Sequence, residues 1–113
     1  MKIEISDKQR DVLIAALDAY SRLKMGQLWA VAEVVQDCKT RTGEPLPDYW
    51  DIRETHTRPL TKALFDYPSN ASHSICSNLV PDTAKIAYDL QCVLRGDASI
   101  LRACRSEPLA KVL

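Results

Sequence analysis

The chain has 113 residues, 46% of them hydrophobic, and its 15 lysines and arginines balance 15 aspartates and glutamates for a formal net charge of zero. That length suits a single domain with one core, and the balance excludes the broad cationic field that drives non-specific binding to nucleic acid or anionic membrane. The longest apolar runs, "VLIAAL" and "LWAVAEVV", are too short or too interrupted to span a bilayer, and "MKIEISDKQR" lacks a hydrophobic leader core, so a soluble, non-secreted cytoplasmic protein is expected.

Residues 1–5 alternate apolar and polar side chains, which predicts a short strand with Ile3 and Ile5 on one face. Ser6 and Gln9 then have the spacing of a capping box. The helix they open runs to about Leu23, with Leu13, Ala16, Leu17 and Tyr20 on one buried face, widened by Val12 and Ile14. Gly26 either ends that helix or lets the backbone approach a neighbour closely. Leu28, Val31, Ala32, Val35 and Cys38 recur at helical spacing, predicting a second helix with Cys38 as a small core residue. Gly43, Pro45 and Pro47 forbid its continuation and imply a surface connection, after which Tyr49 and Trp50 fold back over the core edge.

Thr57 reads as the N-cap of a short helix with Arg58 and Pro59 in its first turn, directing Leu60, Leu64 and Phe65 inward. Asp82 reads as the cap of the clearest helix in the chain. Its Ile86, Leu90, Val93 and Leu94 are expected to be buried, Arg95 suits the negative helix end, and Gly96 supplies the left-handed stop. "DASILRACR" would add a turn or two and "PLAKVL" a final short strand. The expected fold is therefore mainly α: a compact bundle of about four helices, with a small two-stranded sheet if the two termini pair (α+β). No internal repeat or low-complexity linker divides the chain, so residues 1–113 read as one domain.

Four cysteines, Cys38, Cys76, Cys92 and Cys104, are read as reduced thiols because nothing marks the chain for an oxidising compartment. Only His73 and Cys76 lie close together, and no pair has the spacing of a zinc site; no metal and no cofactor are expected.

Two regions carry candidate chemistry. The first is "YPSNASHSICSNLVPD", residues 67–82, with Ser69, Asn70, Ser72, His73, Ser74, Ser77 and Asn78, anchored by Ile75, Leu79 and Val80. A loop this long and polar either holds a ligand or is a packed Ω-loop whose side chains satisfy its own backbone. The second is "RETHTRPLTK", where Arg53, His56, Arg58 and Lys62 gather around a predicted helix start, an arrangement suited to an anion. Its alternative is a solvated face on which Arg53 and Lys62 pair with Asp51, Glu54 and Asp66. The candidate ligand-binding set is thus Arg53, His56, Arg58, Asn70, Ser72, His73, Ser74 and Asn78. His73 with Cys76, or His56 with a serine, matches no motif that fixes catalytic geometry, so no catalytic residue is assigned.

The segments "MKIEI", "LIAALDAYSRLKMGQLWAV", "NAS" and "VPDTAKIAYDLQCVLR" resemble, in consistent order and over most of the chain, a family of short proteins encoded by bacteriophages and prophages. The distinctive part is the NAS loop leading into the VPD-x-AKIAYD helix, which covers Asn70, Ala71, Ser72, Val80, Pro81, Tyr88 and Asp89. The resemblance carries over no catalytic or ligand-binding residue. It implies a small accessory protein inside an infected or lysogenic bacterium, acting on host factors such as components or signal molecules of antiviral defence. The leading expectation is a non-enzymatic protein that binds and sequesters a small polar, nucleotide-like defence signal, working as a homodimer. The runner-up is an inhibitor that docks on a host protein through its helix faces or its Tyr49/Trp50 edge, and the third is a small hydrolase using His73 or His56. Neither a membrane nor a nucleic-acid partner is expected.

Overall fold

The structure, a computed structural model, describes residues 2–67 and 74–96. It is mainly helical, as the periodicity predicts: α1 (Asp7–Lys24), α2 (Ala30–Val34), α3 (Tyr49–Asp51), a π-helical segment π1 (Ile52–Thr57), α4 (Arg58–Phe65) and α5 (Asp82–Arg95). There is no strand among the described residues. Residues 2–5 are irregular rather than a strand, and the C-terminal segment expected to pair with them lies outside the described residues. The described chain forms two compact units, one from residues 2–25 and 74–96 and one from residues 26–67. Among the described residues, no helix is long and apolar enough to cross a membrane.

In the first unit, α1 packs against α5. The capping box that opens α1 is formed in both directions: Gln9 N donates to Ser6 Oγ at 3.1 Å and Ser6 N donates to Gln9 Oε1 at 2.9 Å. Asp7 at its start and Arg22 and Lys24 in its last turn complement the helix dipole. α5 starts differently from expectation. Pro81 is the N-cap, with an extended backbone and no side-chain bond, and Asp82 is the first helical residue, where its charge favours the positive helix end without capping it. Gly96 ends α5 at φ 81° with its N–H turned back to the carbonyls of Cys92 and Val93, a conformation that costs glycine little.

The side chains buried in this unit correct the periodicity reading. Ala84, Ala87 and Cys92 are buried together with Lys85, Asp89 and Gln91, whereas Ile86, Val93 and Leu94 are only half-buried and Leu90 is exposed. On α1 the buried residue is Ser21; Leu17 is half-buried, and Val12, Leu13, Ala16 and Tyr20 are exposed. Hydrophobic spacing ranks residues by polarity, but the buried positions here are held by the small Ser21, Ala84, Ala87 and Cys92 and by the polar Lys85, Asp89 and Gln91. Ile75, Val80 and Ala84 form a small apolar cluster with Met25, Cys76 and Tyr88 packed against it.

In the second unit, α2 is only five residues long, and its approach consists of tight turns: Ala30, Val31 and Ala32 donate to the carbonyls three residues back at 3.1, 3.0 and 2.9 Å. The helix does not reach Cys38, which is exposed rather than a core residue. Leu28, Ala30, Ala32, Ile52 and Thr57 are buried.

From Tyr49 to Phe65 the helical dihedrals continue without a break, at Ile52 (−59°, −45°), Thr57 (−79°, −33°) and Arg58 (−64°, −49°). The true N-cap is Asp48, whose Oδ1 accepts from Asp51 N at 2.9 Å; Thr57 lies inside the helix and caps nothing. Pro59 explains the π segment. It has no N–H to donate, and in a regular α-turn its ring would clash with the carbonyl four residues earlier; here the preceding turn is wide and Arg58 N–H reaches back five residues to Arg53 O. Asp66 closes α4 in the left-handed region at φ 55°. Leu60 and Leu64 are exposed, not inward-facing; Phe65 is half-buried and stacks on Tyr67 with ring centroids 5.4 Å apart.

Candidate functional site

The predicted ligand-binding residues fall in both units. Arg53 and His56 lie in π1 and Arg58 begins α4, all in the second unit; Ser74 and Asn78 lie in the first, and Asn70, Ser72 and His73 fall outside the described residues. Because the helix starts at Asp48, the backbone N–H groups around Thr57 and Arg58 are inside a helix rather than free at its end, which removes the physical basis for an anion site there. Arg58 instead pairs with Glu54 one turn back, Arg53 Nε lies 4.0 Å from Glu54 Oε1, and Thr55 Oγ1 donates to Asp51 Oδ1 at 2.9 Å. Of the pairings in the alternative reading, Arg53 with Glu54 is found among the described residues, at 4.0 Å, while none is found there for Lys62; His56 is exposed.

Of the 67–82 loop, residues 74–80 carry serine hydroxyls that bond to their own backbone. Ile75 and Val80 are buried, although Leu79 is exposed. Ser74 Oγ accepts from Cys76 N and Ser77 Oγ from Leu79 N, each at 3.2 Å, so both hydroxyls stabilise local turns. Asn78 is exposed.

A different group of side chains in the second unit is assembled more closely. Tyr49 and Trp50 open the long helix directly after the Asp48 cap, and Arg53 follows one turn later, so the helical repeat brings all three to neighbouring positions. Trp29 stands at the N-terminus of α2. The Arg53 guanidinium carbon lies 5.4 Å from the centre of the Trp50 ring and 5.5 Å from that of Trp29, over both faces, which places one cation against two indoles. Arg53 Nη1 donates to Tyr49 Oη at 3.2 Å, and the Tyr49 and Trp50 rings meet edge to face with centroids 5.2 Å apart at 87°. Thr57 Oγ1 donates to Arg53 O at 2.8 Å and steadies the π turn that carries Arg53.

Trp50 is nevertheless 63% exposed. It does not fold back over the core as expected; it is held by its neighbours and presented outward. Trp29 had no place in the sequence-based site. The signal that would have found the cluster is the Asp48 cap: reading Asp48 as a helix start puts Tyr49, Trp50 and Arg53 within one turn, but the preceding Pro45 and Pro47 suggest a loop.

The first unit has its own polar group between α1 and α5. Arg22 Nε donates to both carboxylate oxygens of Asp18, at 3.2 and 3.0 Å, and Gln91 Nε2 donates to Asp18 Oδ1 at 3.2 Å. This network ties a charged α1 residue to a fully buried α5 amide, a structural rather than a reactive arrangement. Among the described residues, no group of three or more histidine, cysteine, aspartate or glutamate side chains could hold a metal ion.

No protein-family model, no curated protein and no solved structure matches this chain.

Proposed function

We propose that this chain is a non-enzymatic accessory protein of a phage or prophage that acts by docking on a host protein, with the Trp29, Tyr49, Trp50 and Arg53 edge as its contact surface. The phage setting rests on the resemblance of the NAS loop and the VPD-x-AKIAYD helix. The docking reading rests on one observation: Trp50 is 63% exposed while fixed in place by Arg53 and Tyr49. Tryptophan, tyrosine and arginine are the residues that dominate binding energy at protein interfaces, and immobilising them beforehand lowers the entropic cost of association.

The test is capture from a bacterial lysate by the wild-type chain, by Trp50→Ala, and by Lys8→Ala, an exposed position on α1. A discrete partner held by the wild type and by Lys8→Ala but lost by Trp50→Ala supports the reading. The same partner held equally by all three overturns it.

A second reading keeps the small polar, nucleotide-like ligand. What favours it is the exposed Trp50 ring beside a guanidinium, a pairing that could stack a base and hold a phosphate. A thermal-shift panel of cyclic and linear nucleotides tests it, since a ligand at a hundredfold its dissociation constant adds about 2.7 kcal/mol of stability. No shift with any nucleotide rejects it.

A further inference from the structure

Arg53 is held firmly but is poorly neutralised. Its side chain is 37% exposed, its nearest carboxylate oxygen is 4.0 Å away on Glu54, and that carboxylate is already paired with Arg58. An arginine has five N–H donors in a planar fork. Among the described residues, only Tyr49 Oη takes one of them. The two indoles occupy space over the guanidinium and cannot accept those in-plane hydrogens. Among the described residues the remaining donors therefore form an unfilled fork directly beside the exposed Trp50 ring.

We infer that this fork receives a single carboxylate of the partner protein, an aspartate or glutamate flanked by an apolar side chain that covers Trp50. The inference rests on the docking reading above and specifies its chemistry. Fork geometry suits a carboxylate held by two parallel N–H···O bonds. Phosphate would suit it equally, but the neighbouring charges do not: Asp48, Asp51 and Glu54 lie on the same stretch of helix and would repel a dianion or a nucleic-acid backbone far more than a monoanion. An acidic side chain next to an apolar one matches both halves of the surface, one cation and one bare indole.

The chain has two tryptophans, Trp29 and Trp50, and both lie against Arg53, so intrinsic fluorescence reports on this site. The probes are a capped pentapeptide with glutamate between two leucines, its glutamine counterpart, and inorganic phosphate. A saturable fluorescence change with the glutamate peptide is expected, about tenfold weaker with the glutamine peptide. In Arg53→Gln the two peptides should become indistinguishable, and Arg53→Lys should recover only part of the preference. In the wild-type chain, independently of whether a variant folds, the Arg53 Nε–H resonance should shift with the glutamate peptide and stay in place with the glutamine one. Equal affinity for the two peptides, tighter binding of phosphate than of the glutamate peptide, or an unmoved Arg53 resonance overturns the inference. If these fail while Trp50→Ala still abolishes partner capture, docking stands and only the carboxylate assignment falls.

Discussion

Gln91 Nε2 donates to Asp18 Oδ1 at 3.2 Å, across the contact between α5 and α1. Gln91 is 1% exposed, and its Oε1 has no hydrogen-bond partner among the described residues. The amide orientation is dictated by Asp18, because turning it over would set two oxygens against each other. The Gln91 amide thus anchors a carboxylate that Arg22 also holds.

Gln91→Ala should therefore lower the unfolding free energy by about 2 kcal/mol, through the lost bond to Asp18 and the space vacated by a buried side chain. Urea midpoints at unchanged slope measure it. In a double-mutant cycle with Asp18→Ala, a coupling of about 1 kcal/mol is expected. Strictly additive single effects would mean that the bond contributes nothing.

Gly26 and Gly43 both have positive φ, 83° and 86°, but different surroundings. A Cβ at Gly26 would sit 2.6 Å from Tyr67 Cε2, whereas one at Gly43 meets nothing within 4 Å. Gly43→Ala should cost about 1 to 2 kcal/mol from backbone conformation alone. Gly26→Ala should cost more, because the Tyr67 ring must also shift. Equal denaturation midpoints for the two variants would show that the Tyr67 contact is unimportant.

The π segment depends on a buried hydroxyl. Thr57→Val keeps the shape of the side chain and removes the bond to Arg53 O, with an expected loss of about 1 kcal/mol. Thr55→Val, which removes an exposed bond to Asp51, should stay within about 0.5 kcal/mol of wild type. Chemical denaturation of the two variants side by side makes the comparison; the reverse order would contradict the assigned role of Thr57.

Trp50 and Trp29 both contact Arg53 but differ in burial, half-buried for Trp29 and largely exposed for Trp50. Trp50→Ala should cost about 1 kcal/mol of stability or less, the size of an exposed cation–π contact. Trp29→Ala should cost clearly more, because apolar surface is uncovered as well. If Trp50→Ala were the more damaging, Trp50 would be a structural residue and its exposure would carry no functional weight.

Features whose physics is local are legible in the chain: the Ser6/Gln9 capping box and the left-handed Gly96 each depend on a few adjacent residues, whereas of the three anchors expected for the 67–82 loop Ile75 and Val80 are buried and Leu79 is exposed. Pro59 in a first turn and Pro59 behind a π turn look identical in sequence, so the sequence points to a helix start at Thr57 where the structure starts it at Asp48. The candidate site follows the same limit: charge singles out Arg53 in the sequence, but its contacts with Trp29, Tyr49 and Trp50 are not legible there.

The sequence by itself determined that this protein is mainly helical, neutral and free of a membrane-spanning apolar run, because helix periodicity, charge balance and caps are properties of short windows. Only the tertiary structure decided which faces are buried. Ser21 on α1 and Ala84 and Ala87 on α5 are buried while Leu13, Tyr20 and Leu90 are exposed, a choice that side-chain polarity at helical spacing does not encode. It likewise decided that Arg53 is set against two indoles. Trp29 and Arg53 are far apart in sequence, and no local pattern encodes a contact that forms only when α2 packs beside π1.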